Sequence, residues 1–292
     1  MRPVDGEYAD LHIHTSYSDG ALLPEEVVRI AGQRGLRAVG ITDHDCIDGF
    51  EDAFMEGNRR GVEVYTGVEL SVRLGAYDVH LLGYFIDHRH KGLLEYLDHF
   101  KETRARRAGM IVEKLNELDV DLELSTVLEI AGKGSIGRMH IAKALVQEEH
   151  CAGIDAAFSQ YLRDGGPAFV EKCRIGAEEA IEIIHKAGGL ALLAHPGFYD
   201  DDALIAHLFD SGMDGLEVYN PKHSEFQVLR FQRMVRGYDG IESGGSDYHG
   251  GKENAAPFGD FKVPYTVVSR MKAFLAMARG VGHPRNRVEG LR

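Results

Sequence analysis

The stretch Asp10-Leu11-His12-Ile13-His14-Thr15, followed by Ser18-Asp19-Gly20, determines how the rest of the sequence is interpreted. Its apolar and imidazole side chains alternate with the two-residue period of a β-strand. The two histidines should therefore leave one face of the strand, and Leu11 and Ile13 the other. Two neutral imidazoles fixed side by side can bind a divalent metal ion. The alternative is a strand whose polar face carries histidine without binding a metal.

Further metal-binding side chains follow short apolar runs later in the chain. They are Asp43-His44, Glu69, His80, His195, Glu217 and Asp247-Tyr248-His249. Because these runs alternate with helical patterns, we predict parallel strands joined by right-handed crossovers, with the polar residues at the strand ends. If the strands close into a barrel, these residues meet at its carboxyl-terminal rim.

The middle of the chain departs from this alternation. A hairpin is predicted about Gly75, and helical periodicity then continues from about residue 93 with no convincing strand. We therefore predict a helical insertion over 93–167 that covers the active site. The barrel domain would be discontinuous, formed by 1–92 and 168–292, with Ala168-Phe169-Val170 as the strand that resumes it.

Composition and charge limit the class of protein. The 292 residues are 44% hydrophobic and 27% charged, as in ordinary globular domains, and no segment approaches the roughly 20 apolar residues of a membrane span. The formal net charge of −13 disfavours a long nucleic acid as partner. Cys46, Cys151 and Cys173 show no CxxC spacing, and the N-terminus lacks the apolar region of a signal peptide. We expect a cytoplasmic protein with no membrane partner.

The donor set indicates the metal chemistry. Histidines and carboxylates without thiolates suit manganese, zinc or iron. The ligands are more numerous than one ion needs, so two or three ions are expected, with Glu69 as the bridging carboxylate. Asp43 is expected to orient His44 through a hydrogen bond without itself binding the metal ion. Glu217 is either an outer partner of a ligand or an ordinary hydrogen-bonded carboxylate.

The motifs resemble those of a known family. Asp10–His14, Thr42-Asp43-His44, Gly67-Val68-Glu69, Ala194-His195-Pro196 and Gly245–His249 are similar, in this order, to the motifs of the PHP (polymerase and histidinol phosphatase) metallophosphoesterases. The resemblance implies an α/β fold, a distorted (β/α)7 TIM-like barrel. It also implies a centre of three divalent ions, with manganese expected first and zinc or iron as alternatives.

The resemblance further implies which residues bind each ion. The first ion would be held by His12, His14, Glu69 and Asp247. The second would be held by Glu69, His80 and His195. The third would be held by Asp19, His44 and His249. The ligands expected to act directly in catalysis are Asp19, His44, Glu69, His195 and Asp247.

The predicted insertion indicates a branch of the family. Ser135–His140 and Lys101–Arg107 resemble the insert of the PHP 3′,5′-nucleotide bisphosphate phosphatases, whose relatives include RNase AM. Guanidinium groups suit phosphate because they donate two hydrogen bonds in a fork. The expected substrate-binding residues are Lys101, Arg104, Arg138 and His140. The alternative for the run from 101 to 107 is a solvated basic face.

We therefore predict a metal-dependent phosphatase that converts nucleoside 3′,5′-bisphosphates to nucleoside 5′-monophosphates and phosphate, with short 5′-phosphorylated oligonucleotides as further substrates. The ions would activate water and neutralise the phosphate oxygens. The leaving-group acid could be His140, His223 or a bound water. The alternatives are an L-histidinol-phosphate phosphatase, a cyclic-phosphate dihydrolase and a non-catalytic metal or nucleotide sensor.

Overall fold

A computed structural model describes residues 7–132, 134–172, 174–250 and 258–280 of the chain. Cys46 and Cys151 are free and buried, whereas Cys173 lies outside the described residues. None of the helices within the described ranges has the length and apolar character needed to cross a membrane.

The structure alternates strands and helices along most of its length. The strands are β1 (Tyr8–Ile13), β2 (Leu36–Ile41), β3 (Glu63–Leu74), β4 (Tyr77–Tyr84), β5 (Ile175–Gly176), β6 (Leu190–Leu193), β7 (Gly215–Tyr219), β8 (Ile241–Gly244) and β9 (Val263–Pro264). The helices are α1 (Pro24–Gln33), α2 (Phe50–Arg60), α3 (Lys91–Asn116), α4 (Leu124–Ala131), α5 (Arg138–Gln147), α6 (Ile154–Ala157), α7 (Ala177–Lys186), α8 (Asp202–Asp210), α9 (Glu225–Gly237) and α10 (Thr266–Gly280). A π-helical turn (Phe158–Leu162) follows α6, and a 3₁₀ turn (Pro196–Phe198) follows β6.

The strands form a sheet that nearly closes into a barrel. Their order is β8-β7-β6-β4-β3-β2-β1-β9, with β5 paired to β3. The chain after β8 returns to β1, where the backbone N–H of His14 donates to the carbonyl of Tyr248 at 2.9 Å. The predicted α/β barrel is confirmed.

Two strands depart from the predicted parallel arrangement: β9, which is antiparallel to β1, and β4. β1, β2 and β3 are mutually parallel, as are β6, β7 and β8, but β4 is antiparallel to both β3 and β6. The cause is the hairpin predicted about Gly75, because two residues can join antiparallel strands but not parallel ones. Gly75 has φ +58°, a left-handed conformation that glycine adopts without strain.

The region from 93 to 167 contains consecutive helices, α3 to α6. They enclose an apolar cluster of their own that includes Ile111, Leu115, Val127 and Ile141. From Ala108 onward the segment therefore has a core of its own, whereas Leu93, Leu97 and Phe100 at the start of α3 pack in a core cluster of the barrel.

The strand predicted over Ala168–Val170 is absent, and this prediction is wrong. The backbone there is irregular, and pairing resumes only at Ile175, which lies opposite Val72 of β3. The carbonyls of Phe169 and Val170 instead accept hydrogen bonds from the side chains of Lys114 and Arg107 on α3. These contacts with α3 replace the bonds of a sheet ladder.

The strict alternation predicted for β1 is also interrupted. Leu11 packs in the cluster that contains Leu82 and Leu192, whereas Ile13 packs with Val27 and the residues around α1 and α2. The register of β1 against β2 shifts between Asp10 and Ile13. Such an irregularity changes the direction in which successive side chains point.

Candidate metal centre

Most of the predicted ligands lie at or near strand ends, on one rim of the barrel. Within the described residues, three groups of ligand atoms are each close enough to hold an ion. The groups are His12, His14, Glu69 and Asp247; His44, Glu69 and His80; and His14, Asp19, His44 and His249. The predicted ligand clusters are therefore brought together in space by the fold.

The first group has the predicted membership. His14 Nε2 lies 3.2 Å from Glu69 Oε2 and 3.4 Å from Asp247 Oδ1, and His12 Nε2 lies 3.4 and 3.5 Å from the same two oxygens. The two Nε2 atoms are 3.1 Å apart. Ligand atoms about 2.0–2.2 Å from one ion stand about 3.0–3.5 Å from each other, so this spacing suits a shared cation.

The second and third groups differ slightly from the prediction. Glu69 Oε1 lies 2.9 Å from His80 Nδ1 and 3.0 Å from His195 Nε2, while Glu69 Oε2 lies 3.0 Å from His44 Nδ1. His44 thus reaches the second group as well as the third. In the third group His249 Nε2 lies 3.4 Å from Asp19 Oδ1.

Several buried polar atoms near the ligand groups make no hydrogen bond, as expected for atoms that bind a cation. Asp19 Oδ1, His44 Nδ1 and Glu69 Oε2 are buried and make no hydrogen bond. Although His44 Nδ1 and Glu69 Oε2 are 3.0 Å apart, their orientation satisfies neither atom. Buried polar atoms usually have partners, so these are well explained as ligands of divalent cations.

The ionisation of the group agrees with metal binding. Burial raises the pKa of Glu69 and Asp247, but the surrounding imidazoles outweigh it and hold the pKa of each well below its usual range. Burial lowers the pKa of His14, but the neighbouring carboxylates of Asp247 and Glu69 outweigh it and raise that pKa to about 10. A metal ion bound here would displace that proton. The pKa of His80 is lowered, chiefly by burial, so this imidazole is neutral and ready to bind a cation.

Two of the predicted ligands have unusual backbone conformations. His195 has φ +32° and Asp247 has φ +54°, in the left-handed region that residues other than glycine rarely adopt. Gly245 approaches β1 so closely that a Cβ atom there would lie 2.3 Å from the backbone nitrogen of His12. The turn after β8 is thus fixed against the histidine strand, which places Asp247.

Glu217 supports two ligands from behind. Its Oε1 lies 2.9 Å from His12 Nδ1, and its Oε2 accepts hydrogen bonds from the backbone of His195 at 2.8 Å and from Asn220 Nδ2 at 3.1 Å. Glu217 is fully buried. Of the two interpretations left open by the sequence, the geometry agrees with a partner that orients metal-ligating histidine.

The expected role of Asp43 is wrong. Its carboxylate accepts hydrogen bonds from the backbone and hydroxyl of Thr15, both at 2.7 Å, and from the hydroxyl of Ser18. It therefore fixes the loop that carries Asp19 rather than His44. Adjacency in sequence suggested the pairing, but Asp43 and His44 point to different partners.

A cavity of about 420 Å³ opens beside the ligand groups. It is lined by His44, Glu69, Asp78, His80, Arg138, Lys172, His195, Phe198, Tyr199, Asp247 and His249. Of the residues predicted to bind substrate, Arg138 lies on this wall. Its Nη1 donates to the carbonyl of Leu162 at 2.9 Å and forms an ion pair with the exposed Asp164.

The other predicted substrate contacts lie outside the cavity lining. Arg104 donates to Asp45 and to Ser71 Oγ, and Lys101 Nζ lies 3.1 Å from Asp48 Oδ2. His140 is buried, and its Nδ1 accepts from the backbone N–H of Gly137 at the start of α5.

His223 has both ring nitrogens engaged. Its Nε2 accepts from the backbone N–H of Gly197 at 3.1 Å, so Nδ1 carries the proton and donates to the carbonyl of Val218 at 3.0 Å. Burial lowers the pKa of His223, which keeps the ring neutral. In this conformation it has no proton to give to a leaving group.

The sequence interpretation missed Lys172, Phe198 and Tyr199 on the cavity wall. Lys172 lies in the irregular stretch before β5, and Phe198 and Tyr199 follow His195 in and after the 3₁₀ turn. The one available signal was proximity to the His195-Pro196 motif, because residues just beyond strand ends line the rim of a barrel.

Comparisons with known proteins show which family and which relatives this chain resembles. The sequence profile of the PHP domain matches residues 10–191. The 5′-3′ exoribonuclease Rnm of Escherichia coli strain K12 is 33% identical over 84% of this chain and 87% of its own length. The 3′,5′-nucleoside bisphosphate phosphatase of Chromobacterium violaceum is 32% identical over 86% of this chain and 90% of its own. A Bifidobacterium adolescentis structure assigned to the metal-dependent phosphoesterases superposes with a TM-score of 0.84 at 27% identity, covering 91% of this chain and 95% of that one.

Proposed function

Because this chain belongs to the PHP domain family and is a metal-dependent phosphoesterase, we propose that it removes the 3′-phosphate from nucleoside 3′,5′-bisphosphates. The products are a nucleoside 5′-monophosphate and inorganic phosphate. The observation that carries the proposal is one cavity in which the metal-ligand groups, the guanidinium of Arg138 and an exposed aromatic ring, Phe198, are neighbours. A nucleotide has matching chemistry, since it combines phosphates with a flat base.

The metal ligands are assigned as the sequence predicts. His12, His14, Glu69 and Asp247 hold one ion; Glu69, His80 and His195 hold a second; and Asp19, His44 and His249 hold a third. We propose manganese, because carboxylate and imidazole ligands without thiolate suit it. The bound ions supply Lewis-acid stabilisation of the phosphoryl oxygens and activation of the attacking water.

The chain's own residues position the ligands and the substrate. Glu217 holds His12 with Nε2 toward Glu69, and the buried carboxylates Glu69 and Asp247 provide fixed negative charge for the cations. Arg138 stands at the first position of α5, where the helix dipole adds positive potential for an anion. Residues 93–167 act in this proposal as the unit that covers the cavity and orients the nucleotide.

The nucleobase is placed by Phe198. This side chain is 54% exposed although it is large and apolar, and its ring centroid lies 4.8 Å from that of the ligand His195. Stacking on such a ring is tolerant of base identity because every base has a π-face. The arrangement therefore favours nucleotides as a class over L-histidinol phosphate, whose imidazole offers a smaller stacking surface.

Short 5′-phosphorylated oligonucleotides are a second proposed substrate. The observation that favours them is the relatedness to a protein named as an exoribonuclease. The free cysteines Cys46 and Cys151 agree with a reducing cytoplasm as the place of the reaction.

The experiment compares phosphate release by manganese-loaded protein from adenosine 3′,5′-bisphosphate, L-histidinol phosphate and a cyclic phosphate. The bisphosphate should have the highest kcat/KM. His195→Ala should abolish release, whereas His207→Ala, which changes a histidine that is 55% exposed on α8, should not. Preference for L-histidinol phosphate or the cyclic phosphate would replace the proposed substrate. No turnover of any phosphoester would contradict the proposal altogether.

A further inference from the structure

Lys172 places a half-buried ammonium group on the wall of the metal-site cavity. It lies between Val170, which contacts α3, and Ile175 of β5. The cavity it lines is shared with the predicted metal ligands His80 and His195. No sequence motif includes it, and neither the proposed ligand set nor the predicted substrate contacts give it a role.

The charge of Lys172 is not balanced by a partner. Among the residues that the structure describes, none forms a hydrogen bond or ion pair with its ammonium group. The carboxylates that raise the pKa of Lys172 are Asp45 and Asp78, and both already form ion pairs with arginines. Asp45 binds Arg104, and Asp78 receives two hydrogen bonds from Arg174, at 2.6 and 2.8 Å.

The charged groups that act on the ammonium of Lys172 balance in sign: Arg104 and Arg174 disfavour its charge, and Asp45 and Asp78 favour it. Burial, reinforced by Arg104, lowers the pKa of Lys172 to about 8. Burial and the positive charges of Arg138 and Arg104 similarly lower the pKa of Arg107 to about 10. A half-buried ammonium group that makes no hydrogen bond or ion pair gains stability when an anion from solution binds it.

We propose that Lys172 binds the phosphate group that is not hydrolysed, and so selects substrates that carry two phosphates. The metal-ligand groups would bind the reacting phosphate, and Lys172, which lines the same cavity but belongs to none of these groups, offers its ammonium to the second phosphate. Arg138 shares the wall and is available to the nucleotide through the part of its guanidinium that does not bond Leu162 and Asp164, whereas the ammonium of Lys172 has no bonding partner among the described residues. The binding of an anion at Lys172 is inferred from its unpaired ammonium group. The identification of that anion as a 5′-phosphate rests on the proposed function.

The first test measures kcat/KM of the manganese-loaded protein with adenosine 3′,5′-bisphosphate and with adenosine 3′-monophosphate, which lacks the second phosphate. Lys172→Met keeps the apolar stem and removes the charge. It should lower kcat/KM for the bisphosphate about 10- to 100-fold, as expected for loss of a charged hydrogen bond, and leave that for the monophosphate within about twofold. Lys172→Arg should restore part of the preference.

The matched control is Lys186→Met. Lys186 lies on α7, is 63% exposed and pairs with Glu182, so removal of its charge should change neither rate. Equal losses of Lys172→Met on both substrates, or no loss on either, would overturn the inference.

A binding measurement separates this inference from the proposed function. Calorimetric titration of manganese-loaded protein with adenosine 5′-monophosphate and with adenosine reports the contribution of the 5′-phosphate. If Lys172→Met removes the advantage of the monophosphate, the anion site is supported even where the wild type hydrolyses another phosphoester faster. If the advantage persists in the variant, or the wild type shows none, the inference fails even where the bisphosphate is the best substrate.

Discussion

His12 Nδ1 lies 2.9 Å from Glu217 Oε1, and both side chains are fully buried. The contact leaves His12 Nε2 directed at Glu69 and Asp247, which lie 3.4 and 3.5 Å away. A hydrogen bond to the second ring nitrogen fixes the tautomer and raises the basicity of the ligating nitrogen. The metal affinity of the first ligand group should therefore depend on a carboxylate that does not itself contact the ion.

Glu217→Gln should weaken divalent metal binding about 10- to 100-fold, because the amide keeps an acceptor for His12 but loses the negative charge. Titration of metal-free protein with manganese against a competing chelator measures this. The matched control is Glu242→Gln, which makes the same change at a residue bonded to Tyr219. Equal manganese affinities of Glu217→Gln and the wild type would show that the contact between Glu217 and His12 does not affect metal binding.

Arg104→Ala should destabilise the protein by about 3–5 kcal/mol, because it leaves the buried carboxylate of Asp45 without its partner. Chemical denaturation of the metal-loaded protein provides the measurement. The double variant Arg104→Met with Asp45→Asn should recover much of the loss, since no unpaired charge remains. Unchanged stability together with a raised KM would instead support the prediction that Arg104 binds substrate.

Asp10→Asn should make the stability of the metal-free protein less dependent on pH. Burial raises the pKa of Asp10 to about 7, despite hydrogen bonds from Ser246. A carboxyl group with a higher pKa in the folded than in the unfolded chain loses stability as pH rises between the two values. The advantage of the variant should therefore grow by about 2–3 kcal/mol between pH 5 and pH 7 and level off above.

Thermal or urea unfolding in the presence of a chelator would show this difference. Asparagine keeps an acceptor for the backbone N–H of Ser246, which lies 2.8 Å from Asp10 Oδ1. If the difference in free energy of unfolding between variant and wild type stays constant from pH 5 to pH 8, the raised pKa of Asp10 is contradicted.

Phe198→Ala should raise the KM for adenosine 3′,5′-bisphosphate about 5- to 100-fold, the range expected for loss of one base–aromatic stack. Phosphate release at varied substrate concentration measures the KM, and phosphoribose lacking the base serves as the comparison substrate. Phe226→Ala is the matched control, because Phe226 is 74% exposed on α9. An equal change in KM for the substrate without a base would rule out stacking.

Much of the site could be predicted because each ligand follows a short apolar run, and strand ends of a barrel meet at one rim. That reasoning located His12, His14, Glu69 and Asp247. The structure places both histidines within 3.5 Å of both carboxylates. The hairpin at Gly75 was recognisable from its turn residue and alternating flanks.

The remainder depended on contacts between segments distant in sequence. Asp43 neighbours His44 in the chain, but its partners are Thr15 and Ser18 on another loop. Ala168–Val170 has the composition of a strand, yet the carbonyls of Phe169 and Val170 accept hydrogen bonds from side chains of α3. Lys172 lines the cavity from the irregular stretch before β5, where no local sequence pattern indicates a position on the barrel rim.

The measurement that tests the central claim most directly is phosphorus NMR of adenosine 3′,5′-bisphosphate incubated with the manganese-loaded protein. The proposed function predicts that the 3′-phosphate resonance is lost and replaced by inorganic phosphate, while the 5′-phosphate resonance of the monophosphate remains. Release of the 5′-phosphate instead, or an unchanged spectrum under conditions in which another phosphoester is hydrolysed, would contradict it.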